Sequence, residues 1–541
     1  MAQVAVFADR VVTDIAAQDP CLSAVLGVAN EGLTDFGPAA CQERVELMSS
    51  LLAQAEELPI DTDADRISRD LLVERLGAWV DLGQAGEYLR DLNTMDSPPQ
   101  QIRTTVELLA HGGDSSALTD VVRAIPDSLA GWRESLQQGA AAGLVASRRQ
   151  SVAVAEQLSG YAGLWLPQQI QTVGGGPELA AAVADATAAF RLTAMWLADV
   201  YVEWARPVDG VGESDYLLHA RMFTGMDLDL DEVMRWGMTE MARVGGLIRD
   251  AAAELDSQLR LDQVADVLQH DSRYQLADEA SLTQYLRQRV DRTFDLIDST
   301  LFDIDPRLRE LRIQLVKDDV GLMPYYLPPS EDFTRPGTMC FPITSGDTYP
   351  RWQLDALCLH ESVPGHHLQL GGMVAADSLN RFSRTLGSTT GHAEGWAMYA
   401  EWLGEEQGWY EDPITRLGYL SLQMLRAVRL VVDIGLHTDR VIPAGFPGAG
   451  SPMTADRARE LLQRQALASK QIAAGEVQRY LGLPGQAISY KLGEREWLRA
   501  RQQAEAQEPA DFNLRQWHSD ALALGSMGLA QFGREMAALN R

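Results

Sequence analysis

Apolar side chains recur every three or four positions through most of the chain, which predicts helix, while alternating β-rich runs are scarce. The pattern is plainest from Asp231 onward. There Met234, Met238, Met241, Val244 and Ile248 form one stripe, and Arg235, Glu240, Arg243 and Arg249 fall elsewhere on the wheel. A methionine stripe of this kind is expected to line a core. Breakers at Gly174-Gly175-Gly176-Pro177 and at Ile442-Pro443-Ala444-Gly445-Phe446-Pro447-Gly448 predict loops. The best strand candidates are Ile313 to Lys317 and Thr338 to Phe341. Pro342 is expected to stop the second or hold it at a sheet edge, because its nitrogen donates nothing to a ladder. The pattern therefore predicts a mainly α protein with one small sheet.

At 541 residues the chain exceeds the ~250–300 that one core serves, so more than one packed region is expected. We divide it approximately into an N-terminal helical region, 1–300, and a region, 301–541, that carries the candidate chemistry. Lys and Arg number 46 against 76 Asp and Glu, a net charge of −30. That field repels phosphate backbones and anionic headgroups, which argues against nucleic acid and membrane as partners. Four cysteines without CxxC spacing suit free thiols in a reducing compartment, and Cys358 is expected simply to pack. The N-terminal stretch lacks a basic leader and an apolar core, and no apolar run reaches about 18 residues, so a cytoplasmic location is expected.

Chemistry concentrates late in the chain. Of nine histidines, four lie between positions 360 and 392. The segment His360-Glu361-Ser362-Val363-Pro364-Gly365-His366-His367 begins like HExxH, in which two histidines one turn apart hold zinc and the glutamate acts as base, but position 364 is proline. On an unbroken helix His366 would point about 240° away from His360, and His367 would sit about 10 Å along the axis. Neither could share an ion with His360 through bonds of ~2.0–2.1 Å. Pro364-Gly365 supplies a plausible distortion. Bulging out two residues brings His366 into place, the favoured reading; bulging out three brings His367. Glu394, on a helix expected to start near Ser388 or Thr389, is the candidate third ligand. Glu401 shares its face and is a candidate partner for a ligating histidine. One Zn²⁺ suits two imidazoles and a carboxylate, although manganese or cobalt suit the same set. His392 is expected to be packed or hydrogen-bonded.

The marks HExxPGHH, at His360 to His367, and EGWAxYAE, at Glu394 to Glu401, resemble those of a large bacterial family, the domain of unknown function eight-eight-five. Tyr325-Tyr326, Arg335-Pro336-Gly337, the segment from Arg426 to His437 and the stretch from Pro484 to Lys491 extend the resemblance over most of the chain. That family looks like a distant relative of the gluzincin metallopeptidases, such as neurolysin, thimet oligopeptidase and angiotensin-converting enzyme. The resemblance implies a helical two-lobed clamshell with a deep central cleft, a small sheet near the site, and zinc-dependent hydrolysis of short peptides. In that reading Glu361 is the general base. Tyr490, expected in a loop before a helix spanning Glu494 to Arg501, donates to the oxyanion, with His437 as a candidate assistant. Arg335, Arg429 and Lys491 are candidates to clamp a substrate carboxylate, and Tyr326 to line a subsite. The strand at Thr338 to Phe341 is a candidate edge for pairing with an extended peptide. The alternatives are a metal-dependent amide or C–N hydrolase on a specialised small molecule, and a non-catalytic helical scaffold with a degenerate motif.

Overall fold

The stripe that begins at Asp231 is a helix, Leu230–Leu255, capped by Asp229, whose side chain accepts from the amides of Asp231 and Glu232. Met234, Met241, Val244 and Ile248 are buried, as a core stripe requires, and Met238 is half-buried. In this computed structural model the described residues are 3–28, 32–112, 115–173, 176–256, 258, 260–317, 323–343, 348–446, 448–507 and 510–539. Gly174, Gly175 and Pro447, from the two predicted loops, lie outside them.

The chain is mainly helical with small sheets. It divides into two compact units, 1–211 with 481–483, and 212–480 with 484–541. The division falls at Val211 and Gly212, earlier than the expected boundary at 300. The reason lies in packing: the helices at 230–255 and 279–297 pack on helices of the later region.

In the first unit α1 (Ser115–Ala141) and α2 (Pro177–Trp196) pack together around a core that includes Leu129, Trp132, Leu158 and Phe190. In the second unit the elements used below are α3 (Leu230–Leu255), α4 (Glu279–Ile297), α5 (Leu354–Glu361), α6 (Thr390–Glu406), α7 (Pro413–His437), α8 (Ser489–Gln507) and α9 (Leu529–Leu539). α3 lies along α7, α4 packs on α5, and α6 crosses α8. α7 is buried on nearly every face, so its polar residues are committed to specific partners. Among the described residues no helix is long and apolar enough to cross a membrane.

Strands β1 (Gln275–Leu276) and β5 (Tyr349–Pro350) form a two-stranded antiparallel pair. β2 (Leu311–Lys317), β3 (Tyr325–Leu327) and β4 (Gly337–Ile343) form a sheet in the order β2-β4-β3, parallel between β2 and β4 and antiparallel between β3 and β4. The strand expected at the edge is thus the central one. Pro342 is tolerated because β3 reaches only from Thr338 to Cys340. The proline pairs in register with Val316, past the point where the second neighbour stops. With both sides of Thr338 to Cys340 paired, β4 has no free edge there for a peptide.

Candidate metal centre

α5 carries His360 and Glu361 at its buried C-terminal end. The helix stops at Ser362, whose amide still bonds the Cys358 carbonyl, and the chain turns through a cis Val363–Pro364 bond and Gly365 before helical geometry resumes around His367. Gly365 is required: a Cβ there would lie 2.0 Å from the carbonyl oxygen of His360. Trp396, on α6, donates its indole N–H to the Pro364 carbonyl at 2.7 Å and ties the turn to the next helix. The interruption carries His366 back beside His360, with ring centroids 4.8 Å apart.

α6 starts at the N-cap Thr389, whose hydroxyl accepts from the His392 amide, and its first turns present Glu394. One oxygen of Glu394 lies 3.1 Å from His360 Nε2 and 3.5 Å from His366 Nε2. The ligand atoms of these three residues all fall within 4.8 Å of one another. Three ligands at ~2.0–2.1 Å from one ion in tetrahedral array stand about 3.3 Å apart, and the two spacings to Glu394, 3.1 and 3.5 Å, match that value. Glu401, two turns along α6, accepts from His360 Nδ1 at 2.7 Å and forms an ion pair with Arg426 Nη2 at 3.1 Å.

Burial alone would lower the pKa of His360, but its hydrogen bonds to Glu394 and Glu401 outweigh that and raise it to about 9. Burial opposes ionisation of Glu394 too, yet the two imidazoles hold its carboxyl well below the usual range. Glu361 goes the other way. Burial pushes it up to about 7 against the pull of His360 and His366, and its Oε2 has no partner among the described residues. A carboxyl poised near neutrality and short of one hydrogen bond is suited to taking and returning a proton.

His360, Glu361, His366, Glu394, Arg426 and Arg429 line one cavity of about 370 Å³, with Tyr326 and Tyr490 also on its wall. Tyr490 sits in the first turn of α8, not in a loop before it, because that helix begins at Ser489. Its ring stacks near His360 at 6.4 Å and lies 4.3 Å from the guanidinium carbon of Arg429. Burial, and then the charge of Glu394, raise the pKa of the Tyr490 phenol, which keeps it protonated as a donor.

Other expected site residues are engaged elsewhere. His367 faces the sheet: Nε2 donates to the Leu308 carbonyl at 2.6 Å, Nδ1 accepts from the Tyr326 phenol at 2.8 Å, and burial pushes its pKa down to about 4. Lys491 is buried and tied to Gln423, Glu240 and Glu494, so it is a structural cation and not a clamp. Arg335 donates to the Pro328 carbonyl at 3.0 Å and is not on the cavity wall. His437 ends α7, about 12 Å along the helix from Arg429. There it donates to the Tyr480 carbonyl at 2.9 Å and stacks on Tyr216. Arg426 is the residue that sequence reasoning missed. Its signal is an arginine three residues before another within the otherwise apolar stretch from Met424 to Val432.

The crystal structure of a protein titled "putative lipoprotein" from Colwellia psychrerythraea matches 99% of this chain and 98% of its own at a TM-score of 0.85 and 19% identity. A protein from Shewanella oneidensis with the same description, its function unknown, matches 99% of this chain and 100% of its own at 0.72 and 18%. At such identity the likeness speaks to the fold. No curated protein matches. The profile of the family described as "Bacterial protein of unknown function (DUF885)" matches residues 20–536, and the chain belongs to that family.

Proposed function

We propose that this protein is a zinc-dependent hydrolase of peptide bonds in short peptides, with His360, His366 and Glu394 holding one Zn²⁺. The reading rests on one observation above the rest: a buried Glu361 carboxyl with an unpartnered oxygen on the same cavity wall as a three-ligand cluster. Zinc bound there supplies a Lewis acid that polarises the scissile carbonyl and acidifies a water. Glu361 takes the proton of the attacking water and returns it to the leaving nitrogen, so that water is added across the C–N bond. Tyr490 donates its O–H to the charge that develops on the carbonyl oxygen. Glu401 holds the His360 ring so that Nε2 faces Glu394, where it would serve as a ligand.

Kinship with the gluzincins, and the clamshell that kinship implies, belong to this proposal. So does a cytoplasmic location, which four buried cysteines outside any disulfide support; the descriptions of the two solved relatives point those proteins toward a lipid anchor, and cell fractionation decides between the compartments.

The test is zinc content together with peptide digestion. Wild type should hold one zinc per chain and cleave short peptides. Glu361→Gln should hold the same zinc and lose about 10²–10⁴-fold in kcat. A small cavity favours one alternative, an amide hydrolase on a specialised small molecule, which would leave a mixed peptide library uncut. A protein that purifies without stoichiometric zinc, and whose metal content His360→Ala does not change, is a scaffold instead.

A further inference from the structure

The chemistry above makes no use of the donors of Arg426 and Arg429. Three residues apart on α7, they share one face of that helix and both line the cavity. Arg426 spends Nη2 on Glu401, while its Nε and Nη1 have no partner among the described residues. Arg429 gives Nε and Nη2 to Glu476, at 2.9 and 2.7 Å, and its Nη1 has none. Arg479 shares the same Glu476 carboxylate at 3.0 Å. The three guanidiniums pair with Glu401 and Glu476, the Glu361 and Asp433 carboxyls also feel their charge, and three buried nitrogens of Arg426 and Arg429 still want acceptors.

A buried donor left without an acceptor is costly. A ligand that brings acceptors to these nitrogens relieves that cost. Guanidinium matches a planar, two-oxygen anion best. The cavity, about 370 Å³, is near the small end for ligand sites, which limits the ligand to a few residues' bulk. Glu361 and Glu394 on the same wall would repel an anion, so its seat belongs at the arginine end.

We propose that Arg426 and Arg429 seat the free C-terminal carboxylate of a short peptide, which makes the protein an exopeptidase for di- and tripeptides with a free C-terminus. The assignment rests on the hydrolase reading for its substrate, and an acidic side chain is the other source of the same chemistry.

The experiment measures calorimetric binding to zinc-loaded Glu361→Gln, in which turnover is blocked. Its three ligands are trialanine, trialanine amide and Ala-Glu-Ala amide. Trialanine should bind about tenfold or more tightly than either amide, as the loss of a charge-assisted pair predicts. Adding Arg429→Lys, which keeps a charge for Glu476, should erase that preference and leave amide binding within about threefold. Because the ligand comparison needs no arginine substitution, a poorly folded double variant leaves the result intact. Equal binding of acid and amide, binding of none, or Ala-Glu-Ala amide matching trialanine overturns the assignment. Cleavage of acid and amide alike by wild type would keep the hydrolase and sink the carboxylate seat. Selective binding of the acid without any cleavage would do the reverse.

Discussion

Glu401 Oε1 stands 2.7 Å from His360 Nδ1 and 3.1 Å from Arg426 Nη2, so one carboxylate oxygen joins the candidate metal ligand to a buried arginine. With Nδ1 donating to Glu401, the tautomer is fixed and Nε2 turns toward Glu394 and His366. The orientation of the first ligand is thus set from α6 and α7, not from the loop that follows it.

Replacing Glu401 by glutamine keeps the shape and removes the charge that balances Arg426. Zinc affinity should fall about 10–100-fold, the usual cost of losing such a partner behind a ligating histidine. Competition against a chromophoric chelator measures it. An unchanged affinity would take Glu401 out of the metal site.

The adjacent histidines offer a sharper contrast. His366→Ala removes a candidate ligand and should weaken zinc binding by more than about 100-fold, beyond what an outer partner costs. His367→Ala should leave zinc binding alone. It strips the hydrogen bonds to Leu308 and Tyr326 and should lower stability by about 1–3 kcal/mol, read by urea titration. Metal loss in His367→Ala, with retention in His366→Ala, would invert the reading of the segment.

Much of this was legible from residue order, and the rest failed for identifiable reasons. The Met stripe and the N-cap at Thr389 are local signals, read from spacing and side-chain chemistry. The central position of β4 was not legible, because strand order depends on how β2 and β3 arrive from elsewhere in the chain, and Pro342 gave a true statement about one side only. Lys491 and Tyr490 are neighbours on α8 yet point to different partners. The helix starts one residue before Tyr490, and a single step of about 100° separates their side chains. His437 was a candidate only within the reading that the resemblance implies, and eight residues of helix past Arg429 carry it off the cavity wall.

The crossing of α6 over α8 sets where Tyr490 stands, and it depends on paired glycines. A Cβ on Gly395 would come within 2.4 Å of the Gly493 backbone, and one on Gly493 within 2.0 Å of the Gly391 carbonyl oxygen. Backbone cannot yield as a side-chain tip can, so Gly395→Ala should cost about 2 kcal/mol or more. Because the shift separates Glu394 from Tyr490, activity should fall further than zinc content. The comparison needs melting, metal analysis and kinetics on one preparation. A variant with wild-type stability would show that the helices are free to move apart.

Acid should weaken the fold through a histidine outside the candidate ligand cluster. His518 is buried among aromatic rings, stacked on Phe302 at 4.2 Å. Its Nδ1 donates to the Leu301 carbonyl at 2.9 Å and its Nε2 accepts from the Tyr399 phenol at 2.7 Å, a pattern that only the neutral ring satisfies. Burial pushes its pKa down to about 3, with Arg501 acting in the same direction. The unfolded chain binds the proton near pH 6.5 and the folded one does not, so stability is lost as pH falls through that window. The loss from pH 7 to 5.5 is about 1 kcal/mol for this residue. Asp433 works oppositely, since burial raises it to about 7 and the folded state gains from its protonation, so the raw stability curve mixes the two. The difference between wild type and His518→Gln separates them. Glutamine can make both hydrogen bonds and does not titrate, so its stability relative to wild type should rise by about 1 kcal/mol between pH 7 and 5.5. A pH-independent difference between the two urea titrations would mean that His518 binds its proton as readily in the folded chain as in the unfolded one.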